Sequence, residues 1–436
     1  MNKVYWIVAG IMVFALCARG GEASDVKRTV LPNGLVILTK PVTTNSIISA
    51  IVSLRMGSLY ETDQHAGLTT LMQDTIRRGT TTRTSEQIAL ELEQMGTRLA
   101  TTTNRDYGTI GIQSTKESLY PSLDILFDLM ENAAFPEDAV ALQKTLQIQN
   151  IMARYDQPIY LAMDLMVDAH YGSHPFHKPM MGYPERIETF TRDQLAALYR
   201  SVYVPNNMVI TAVGNFDENQ LIAVITDNLG ALPRGGDLVP VVTGENTSAD
   251  RTTIVEKIDH REGAASWFML GWNAPKLGET DSYAMEVLDA ITGGSMNSRL
   301  FIAIREKRGL AYQVASFYNA RRETGIYVAY IGTQPSTYEE SKRVLIEEVQ
   351  RMGREAVTEE EITLAKSYLR GMNIMSQESN AGQASQYGHY EIVGIGYDYL
   401  ETYPDRIGAV ESDDILRIGS THLRDNYALG AVLAGE

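Results

Sequence analysis

The feature that most constrains the fold is an internal duplication. Three short patterns recur in the same order in the second half of the chain, at separations of 218, 221 and 221 residues. They are Glu61-Thr62-Asp63 with Glu279-Thr280-Asp281, Thr191-x-Asp193-x-Leu195 with Ser412-x-Asp414-x-Leu416, and Val213-Gly214 with Ala434-Gly435. Each match is weak alone, but their shared order and spacing predict a duplicated domain of about 200 residues.

The arrangement of the predicted elements favours the α+β class. Runs typical of strands and of helices alternate without a regular βαβ repeat, and the chain of 436 residues is long enough for two or three domains. A stretch rich in Pro and Gly, residues 232–251, is the best candidate for a linker. We therefore predict an N-terminal domain over residues 24–231 and a homologous C-terminal domain over residues 252–436.

Residues 1–23 differ from the rest of the chain. Lys3 precedes an almost wholly apolar run from Val4 to Ala18, and small residues stand near Ala23. This pattern is typical of a cleaved secretory signal rather than a membrane span, and it predicts a periplasmic or secreted protein. The single cysteine, Cys17, lies inside this segment. It could carry a lipid, although Leu16 is bulky where such sites require a small residue.

Charge argues against one class of partner. The whole chain carries a net charge of −16, and the part after residue 23 carries −17, since the leader has two basic residues and one acidic residue. Nucleic-acid binding would require a basic patch against this field, and no run of Lys and Arg is present. The composition, 44% hydrophobic and 21% charged, is that of a globular protein.

The stretch Gly67 to Thr80 predicts a helix with an unusual polar pattern. Leu68, Leu71, Met72 and Ile76 recur at helical spacing, and Gly79 is placed to end the helix. Thr70, Gln73 and Asp74 fall at i, i+3 and i+4, so we expect their side chains to form one patch. This is the spacing of His-x-x-Glu-His, in which two His bind zinc and the Glu acts as base.

The sequence around this helix resembles that of the insulinase/pitrilysin family of zinc metallopeptidases, the inverzincins. Gly57-Ser58-x-x-Glu61 and Ala66-Gly67-Leu68 are similar to the family's approach to the helix, and Arg78-Gly79-Thr80 to its exit. The resemblance implies two homologous domains, as in mitochondrial processing peptidase. Each would be a mixed, mostly antiparallel sheet with helices packed on one face.

The resemblance also marks what this chain lacks. The family's third zinc ligand, a Glu about 76 residues after the second His, corresponds to Asn150, eight residues before Pro158. The ligand positions are therefore Thr70, Asp74 and Asn150, and the base position is Gln73. Thr and Asn are poor ligands for zinc, and Gln cannot act as a base near neutral pH. We expect no metal or other cofactor in this chain.

A hairpin predicted over Arg98–Thr103 and Tyr107–Gln113 also departs from the family. Relatives carry Asn-Ala-x-Thr on the strand that pairs with the substrate backbone, whereas this chain has Leu99-Ala100-Thr101-Thr102.

The second half keeps an element that resembles the family's Arg-x6-Tyr motif. Gly293-Gly294-Ser295 and Ser298-Arg299 lead into Arg305, and Tyr312 follows seven residues later. In the family this Arg and Tyr contact the substrate near the scissile carbonyl. A guanidinium is always charged and a phenol can donate to an oxyanion, which suits both residues to that role. By the same resemblance we assign Gly293, Gly294, Ser298 and Arg299 to substrate binding.

His170, His174 and His177 offer a metal site as a third hypothesis, since i, i+4 and i+7 would align on a helix. Gly172 and Pro175 interrupt a helix there, and the segment resembles a loop that the family keeps without metal.

The main functional hypothesis is therefore a non-catalytic subunit of a periplasmic zinc endopeptidase. It would pair as a heterodimer with a sister chain of the same family that carries the zinc, and would help enclose peptide substrates. The alternative is a peptide-binding or scaffold homodimer without peptidase activity.

Overall fold

The computed structural model describes residues 25–241 and 253–435 and contains two β-sheets and fourteen α-helices within them. The predicted signal, Cys17 and residues 242–251 of the predicted linker lie outside the described residues. The strands are β1 (Lys27–Val30), β2 (Val36–Pro41), β3 (Ile47–Arg55), β4 (Arg98–Thr103), β5 (Tyr107–Thr115), β6 (Met208–Gly214), β7 (Val255–Glu262), β8 (Ser266–Ala274), β9 (Gln313–Ala320), β10 (Gly325–Thr333) and β11 (Ala428–Gly435).

Of the fourteen helices, eight lie in the described part of the first half of the chain and six in that of the second. The first half holds α1 (Leu68–Thr75), α2 (Ser85–Gln94), α3 (Leu119–Asn132), α4 (Glu137–Tyr155), α5 (Pro158–Tyr171), α6 (Pro184–Ile187), α7 (Arg192–Val202) and α8 (Glu218–Leu229). The second half holds α9 (Thr280–Thr292), α10 (Tyr338–Arg351), α11 (Glu359–Ser376), α12 (Asn380–Ile392), α13 (Tyr399–Ala409) and α14 (Ser412–His422). A short helical turn of the π type, Phe301–Glu306, separates α9 from β9.

The two sheets have equivalent topology, which confirms the predicted two-domain α+β fold. The first sheet has the order β1-β2-β6-β3-β5-β4, and the second has the order β7-β11-β8-β10-β9. In each sheet only one pair is parallel, β2 with β6 and β7 with β11. Apart from the additional edge strand β1, the strand orders match one for one. The start of β8 at Ser266 lies 219 residues after the start of β3 at Ile47, close to the separations of the sequence repeats.

Each sheet buries one face against helices of its own half. Leu71 of α1 and Leu126 of α3 are fully buried in the core of the first half, and Leu288 of α9 and Val349 of α10 are fully buried in that of the second. The predicted packing of helices on one face of each sheet is therefore confirmed for the helices that belong to the same half.

The opposite face of each sheet is covered by a helix from the other half. α5, from the first half, packs on β7, β8 and β11, and α12, from the second half, packs on β3 and β6. Ala162 and Met166 of α5 are buried against Val432 of β11, and a side chain at Gly430 would collide with Met166. Because each half completes the other's core, the halves are joined by reciprocal packing as well as by the chain.

A buried ion pair also joins the halves. Arg321, in the turn after β9, donates to Asp106, in the turn between β4 and β5, at 2.5 Å. Arg105, the residue before Asp106, donates to the backbone carbonyls of Phe176 and Lys178. The guanidinium groups of Arg105 and Arg321 both lie near the Phe176 ring. Across residues 25–241 and 253–435, no helix is both long and apolar enough to span a membrane.

Candidate functional site

Helix α1, which carries the altered zinc motif, is fixed at its N-terminus by a buried carboxylate. Glu61 accepts hydrogen bonds from the backbone N–H groups of Gly67 at 3.1 Å and Thr69 at 2.7 Å. These are the donors that the first turn of a helix leaves unpaired. Burial raises the pKa of Glu61, and the hydrogen bonds from the helix oppose that shift. Gly67 has a φ of 89°, and a side chain there would come within 2.4 Å of the Met181 carbonyl oxygen.

Gln73, at the position of the catalytic base, points into the core. Its side chain is fully buried, with Nε2 donating to the Thr109 carbonyl of β5 at 2.8 Å. Its Oε1 accepts from the Tyr203 hydroxyl at 2.8 Å. Both ends of the amide are thus satisfied by protein. The expectation that Gln73 shares a patch with Thr70 and Asp74 is therefore wrong, because its amide bonds to the sheet side of α1.

Thr70 and Asp74 are half-buried and point elsewhere. Thr70 donates its hydroxyl to the Met180 carbonyl at 2.8 Å, which ties α1 to the loop before α6. Burial raises the pKa of Asp74, and the nearby Arg77 and Arg78 partly counteract it. These contacts attach α1 to its surroundings.

Asn150 lies two turns beyond Gln143 on α4, on nearly the same helix face. Its side chain is exposed, whereas Gln143 and Gln147 are buried on the same helix. Gln147 donates to the carbonyls of Gly67 and Met181, at 3.1 and 2.7 Å. With its amide oxygen facing Arg78, Gln143 accepts two bonds from that guanidinium, at 2.9 and 2.8 Å. Amides of α4 therefore bond the segments on both sides of α1, at Gly67 before the helix and at Arg78 after it.

The residues at the family's zinc positions do not fit zinc. A hydroxyl that donates to a carbonyl, an exposed amide and a single carboxylate are not the three strong ligands that catalytic zinc requires. Within residues 25–241 and 253–435, no three His, Cys, Asp or Glu side chains lie close enough together to hold a metal ion. We therefore derive no metal-dependent step from this chain.

The three histidines of the third hypothesis do not converge. His170 is buried at the end of α5 beside the Tyr171 ring, and His174 caps a short 3-10 turn by accepting from the Phe176 N–H. Burial lowers the pKa of His174 to about 4. His177 faces Asp168 and Asp63, whose carboxylates raise its pKa. The geometry gives these rings structural contacts, and the metal-carrier hypothesis has no support from it.

The Gly-rich loop after α9 packs tightly against β9. A side chain at Gly293 would approach the Ser316 N and Oγ within 2.4 Å, and the Ser316 N–H donates to the Gly293 carbonyl. Ser298 is buried, and its Oγ accepts from the N–H of Phe301 at the start of the 301–306 turn. These contacts position the loop. That Gly293, Gly294 and Ser298 bind substrate stays a prediction.

Arg299 links this loop to α11. Its Nε and Nη2 donate to the two carboxylate oxygens of Glu361, at 2.7 and 2.8 Å. The paired guanidinium lowers the pKa of Glu361 to about 2. Glu361 also accepts from the N–H of Thr358 and so closes the first turn of α11. Its engagement with Glu361 makes Arg299 a structural link, whether or not it also meets a substrate.

Arg305 and Tyr312 both face solvent on the same short segment. Arg305 ends the 301–306 turn with its guanidinium 5.1 Å from the centre of the Phe301 ring, and the Tyr312 side chain is 54% exposed. The Tyr312 N–H donates to the Gly332 carbonyl, which fixes the start of β9. In the described part of the chain, neither side chain makes a hydrogen bond. Both polar groups are therefore available to an external ligand.

The strand with the altered family motif is an outer strand. β4 pairs with β5 alone, and its side chains alternate between exposed and half-buried positions. Leu99, at the position of the family's Asn, packs against the core of the first half. The predicted hairpin is confirmed, with one free edge.

Sequence reasoning missed the buried polar residues that bond α1 and the segments on either side of it. Gln143, Gln147 and Tyr203 carried no motif, and only the buried face of α4, spaced at i and i+4, could have indicated the first two. It also missed an apolar stripe on α11, which helical spacing alone could have found.

The fold and site together define a two-domain protein with the framework of a zinc peptidase and without its ligands. Two family models match the chain in succession. The model described as Insulinase (Peptidase family M16) matches residues 36–182, and that described as Peptidase M16 inactive domain matches residues 189–369. The chain belongs to peptidase family M16, which confirms the resemblance seen in the sequence.

Several bacterial proteins are similar to this chain over nearly its whole length. An uncharacterized zinc protease of Mycobacterium tuberculosis is 28% identical over 94% of this chain and 93% of its own length. An uncharacterized zinc protease of Bacillus subtilis is 25% identical over 93% of this chain and 98% of its own length. A crystal structure of a peptidase M16 inactive domain from Pseudomonas fluorescens has a TM-score of 0.87 at 20% identity, covering 95% of this chain and 99% of that one. The crystal structure of a protease from Helicobacter pylori has a TM-score of 0.85 at 18% identity, and the match covers 93% of this chain and 99% of that one.

Proposed function

We propose that this protein is the non-catalytic subunit of a periplasmic zinc endopeptidase. In this role it pairs with a zinc-bearing sister chain of family M16 and encloses peptide substrates between the two. The observation that carries the proposal is the contrast between the two halves. The polar side chains of Thr70 and Gln73 on α1 are hydrogen-bonded to protein groups, whereas Arg305 and Tyr312 are exposed and their side chains make no hydrogen bond within the described residues.

The chemistry of the exposed pair suits a substrate carbonyl. A guanidinium keeps its charge at any physiological pH and offers several donors in a fixed plane. A phenol offers one further donor, and groups of this kind stabilise the negative charge that develops on a carbonyl oxygen under attack. Zinc and the general base would come from the sister chain, which supplies the attacking water. This chain would orient and polarise the bond to be cleaved.

The family match and the N-terminal segment support the remaining parts of the proposal. Relatives that align with nearly the whole chain are described as zinc proteases, while the zinc positions of this chain do not fit the metal. A catalytic partner therefore reconciles the family with the residues. The predicted leader of residues 1–23 supports a periplasmic or secreted location.

The test is reconstitution with the sister chain. Purified sister, with and without this protein, is assayed on a quenched fluorescent peptide, and the complex is measured by size-exclusion chromatography. We expect activity to require both chains and to fall at least a hundredfold in Arg305→Ala, in line with the loss of one oxyanion donor. Tyr312→Phe, which removes only the hydroxyl, should lower kcat more than it raises KM.

Arg308→Ala is the matched control, because Arg308 lies on the same segment and donates to the Ala303 carbonyl. The complex should keep its activity in this variant. Unchanged activity in both Arg305→Ala and Tyr312→Phe would refute the assigned roles. A homodimer with no affinity for any M16 sister would favour the peptide-binding or scaffold alternative.

A further inference from the structure

Helix α11 presents a stripe of large apolar side chains to solvent. The stripe consists of Leu364, Tyr368, Met372 and Met375, which are 52, 40, 46 and 66% exposed. Their spacing of i, i+4, i+8 and i+11 places them on one face. Gly371 lies on the same face, and a side chain there would meet nothing within 4 Å. Single exposed apolar residues are ordinary, but a continuous patch marks a binding surface.

The stripe borders a cavity of about 130 Å³ between α9 and α11. Its walls are mainly apolar, and its rim is formed by polar residues of the Gly-rich loop. The lining residues are Ala290, Ile291, Ser295, Asn297, Glu361, Leu364, Ala365 and Tyr368. An apolar protein cavity of about 150 Å³ is known to hold benzene, so this volume accepts one branched aliphatic or aromatic side chain.

The walls of the cavity are held in place before any ligand arrives. The two hydrogen bonds between Arg299 and Glu361 join the loop on one wall to α11 on the other. Glu361 is in turn held by the first turn of its own helix. A preformed cavity lowers the ordering cost of binding.

We infer that the α11 stripe and its cavity bind a large apolar side chain of an extended peptide. This inference rests on the proposed function and names part of its substrate class. The loop that rims the cavity leads directly into the 301–306 turn that carries Arg305. A peptide held along α11 would therefore lie on the same segment as the groups assigned to its carbonyl.

The size of the patch argues for a peptide rather than for the sister subunit. Four side chains and the neighbouring Met296, which is 78% exposed, offer on the order of a few hundred Å². A stable subunit interface requires about 800 Å² from each partner.

The charge of α11 adds a second preference, for a basic residue in the peptide. Glu359 and Glu360 begin α11, are exposed, and make no ion pair in the described part of the chain, so a basic residue beside the apolar one is favoured.

The test uses the chain alone and two fluorescein-labelled peptides of eight residues. The peptides share one Arg and differ only in the residue after it, Leu or Ala. Fluorescence polarisation should show the Leu peptide binding about tenfold more tightly, because partial burial of the three additional carbons is expected to give about that factor.

Two variants place the preference on α11. Leu364→Asp should abolish the difference between the peptides, and Ser295→Trp, which fills the cavity from its rim, should do the same. Leu142→Asp is the matched control. Leu142 is 53% exposed and is the sixth residue of α4, just as Leu364 is the sixth residue of α11. The Leu142→Asp variant should still bind the Leu peptide more tightly than the Ala peptide. Circular dichroism confirms that each variant is folded.

The results separate this inference from the proposed function. A Leu preference that survives in both Leu364→Asp and Ser295→Trp, or that is absent from the folded wild type, overturns the inference, even if peptidase activity with the sister chain still depends on Arg305. A preference that is lost in both variants supports it, even if that activity proves independent of Arg305.

Discussion

Replacing Gln73 by glutamate restores the residue type of the family's base and tests whether this position belongs to a site or to the core. The neutral carboxyl can reproduce both hydrogen bonds, because its O–H can donate to the Thr109 carbonyl and its C=O can accept from Tyr203. The ionised carboxylate can do only the second. It would also face the Thr109 carbonyl oxygen at hydrogen-bond distance, with no water to solvate it.

The cost of Gln73→Glu follows from this difference. Full burial raises the pKa of a carboxyl by about 3 units or more, and each unit corresponds to about 1.4 kcal/mol. Since the pKa is raised in the folded state, the destabilisation is absent below the unfolded value of about 4.3 and grows as the pH rises. We expect the variant to match the wild type near pH 4 and to be less stable by about 4 kcal/mol at pH 8.

The assay is urea unfolding followed by far-UV circular dichroism from pH 4 to pH 8. The quantity compared is the free energy of unfolding of the variant relative to the wild type, so that other titrating groups cancel. Gln94→Glu, on the exposed end of α2, is the control and should change stability by less than about 0.5 kcal/mol at every pH. A deficit for Gln73→Glu that is negligible at pH 8, or that does not vary with pH, would refute the buried, doubly bonded position of Gln73.

Two further predictions concern ion pairs that join separate elements. Arg299→Ala should reduce the free energy of unfolding by about 1–2 kcal/mol at pH 7, and the deficit should shrink as the pH falls from about 4.5 towards 2, because Arg299 lowers the pKa of Glu361. Urea unfolding at pH 7 and pH 3 measures it, and an equal deficit at both would contradict the pairing. Arg321→Ala should cost about 3 kcal/mol, since it leaves the buried Asp106 without its partner. Hydrogen exchange should rise at the turns on both sides of the interface, whereas Arg343→Ala, which breaks only an exposed pair on α10, should change neither measurement.

The sequence allowed the fold to be predicted because local patterns and the duplication agree with the final topology. The apolar face of α1, the hairpin of β4 and β5, and the separations of the repeats all correspond to elements of the structure. The exchange of α5 and α12 could not be predicted in this way. Helical periodicity shows that Met166 belongs to an apolar face, but not that this face packs on the sheet of the other half.

The candidate site was predictable in type and less so in detail. Spacing correctly assigned α1 to the altered motif, but it placed Gln73 on a polar patch, because it could not reveal that Tyr203 and the Thr109 carbonyl would receive the amide. Spacing also marked Asn150, which lies on nearly the same face of α4 as Gln143 and Gln147, yet of these three residues only the two glutamines are buried. Residues at i, i+4 and i+7 share a helix face, so spacing alone could not show which of the three the neighbouring elements cover.

The hydrogen bonds around α1 bear on how the missing zinc site should be understood. If the ligands had merely been lost, the remaining polar groups would be left without partners in the core, which is costly. Instead Gln73 is bonded at both ends of its amide, Gln147 donates to two carbonyls, and Glu61 caps the helix. Helix α1 is thus tied by hydrogen bonds to its own sheet and to α4. The solvent-facing groups suited to a ligand, Arg305 and Tyr312, lie in the second half, and activity by this route requires a metal and a base from another chain.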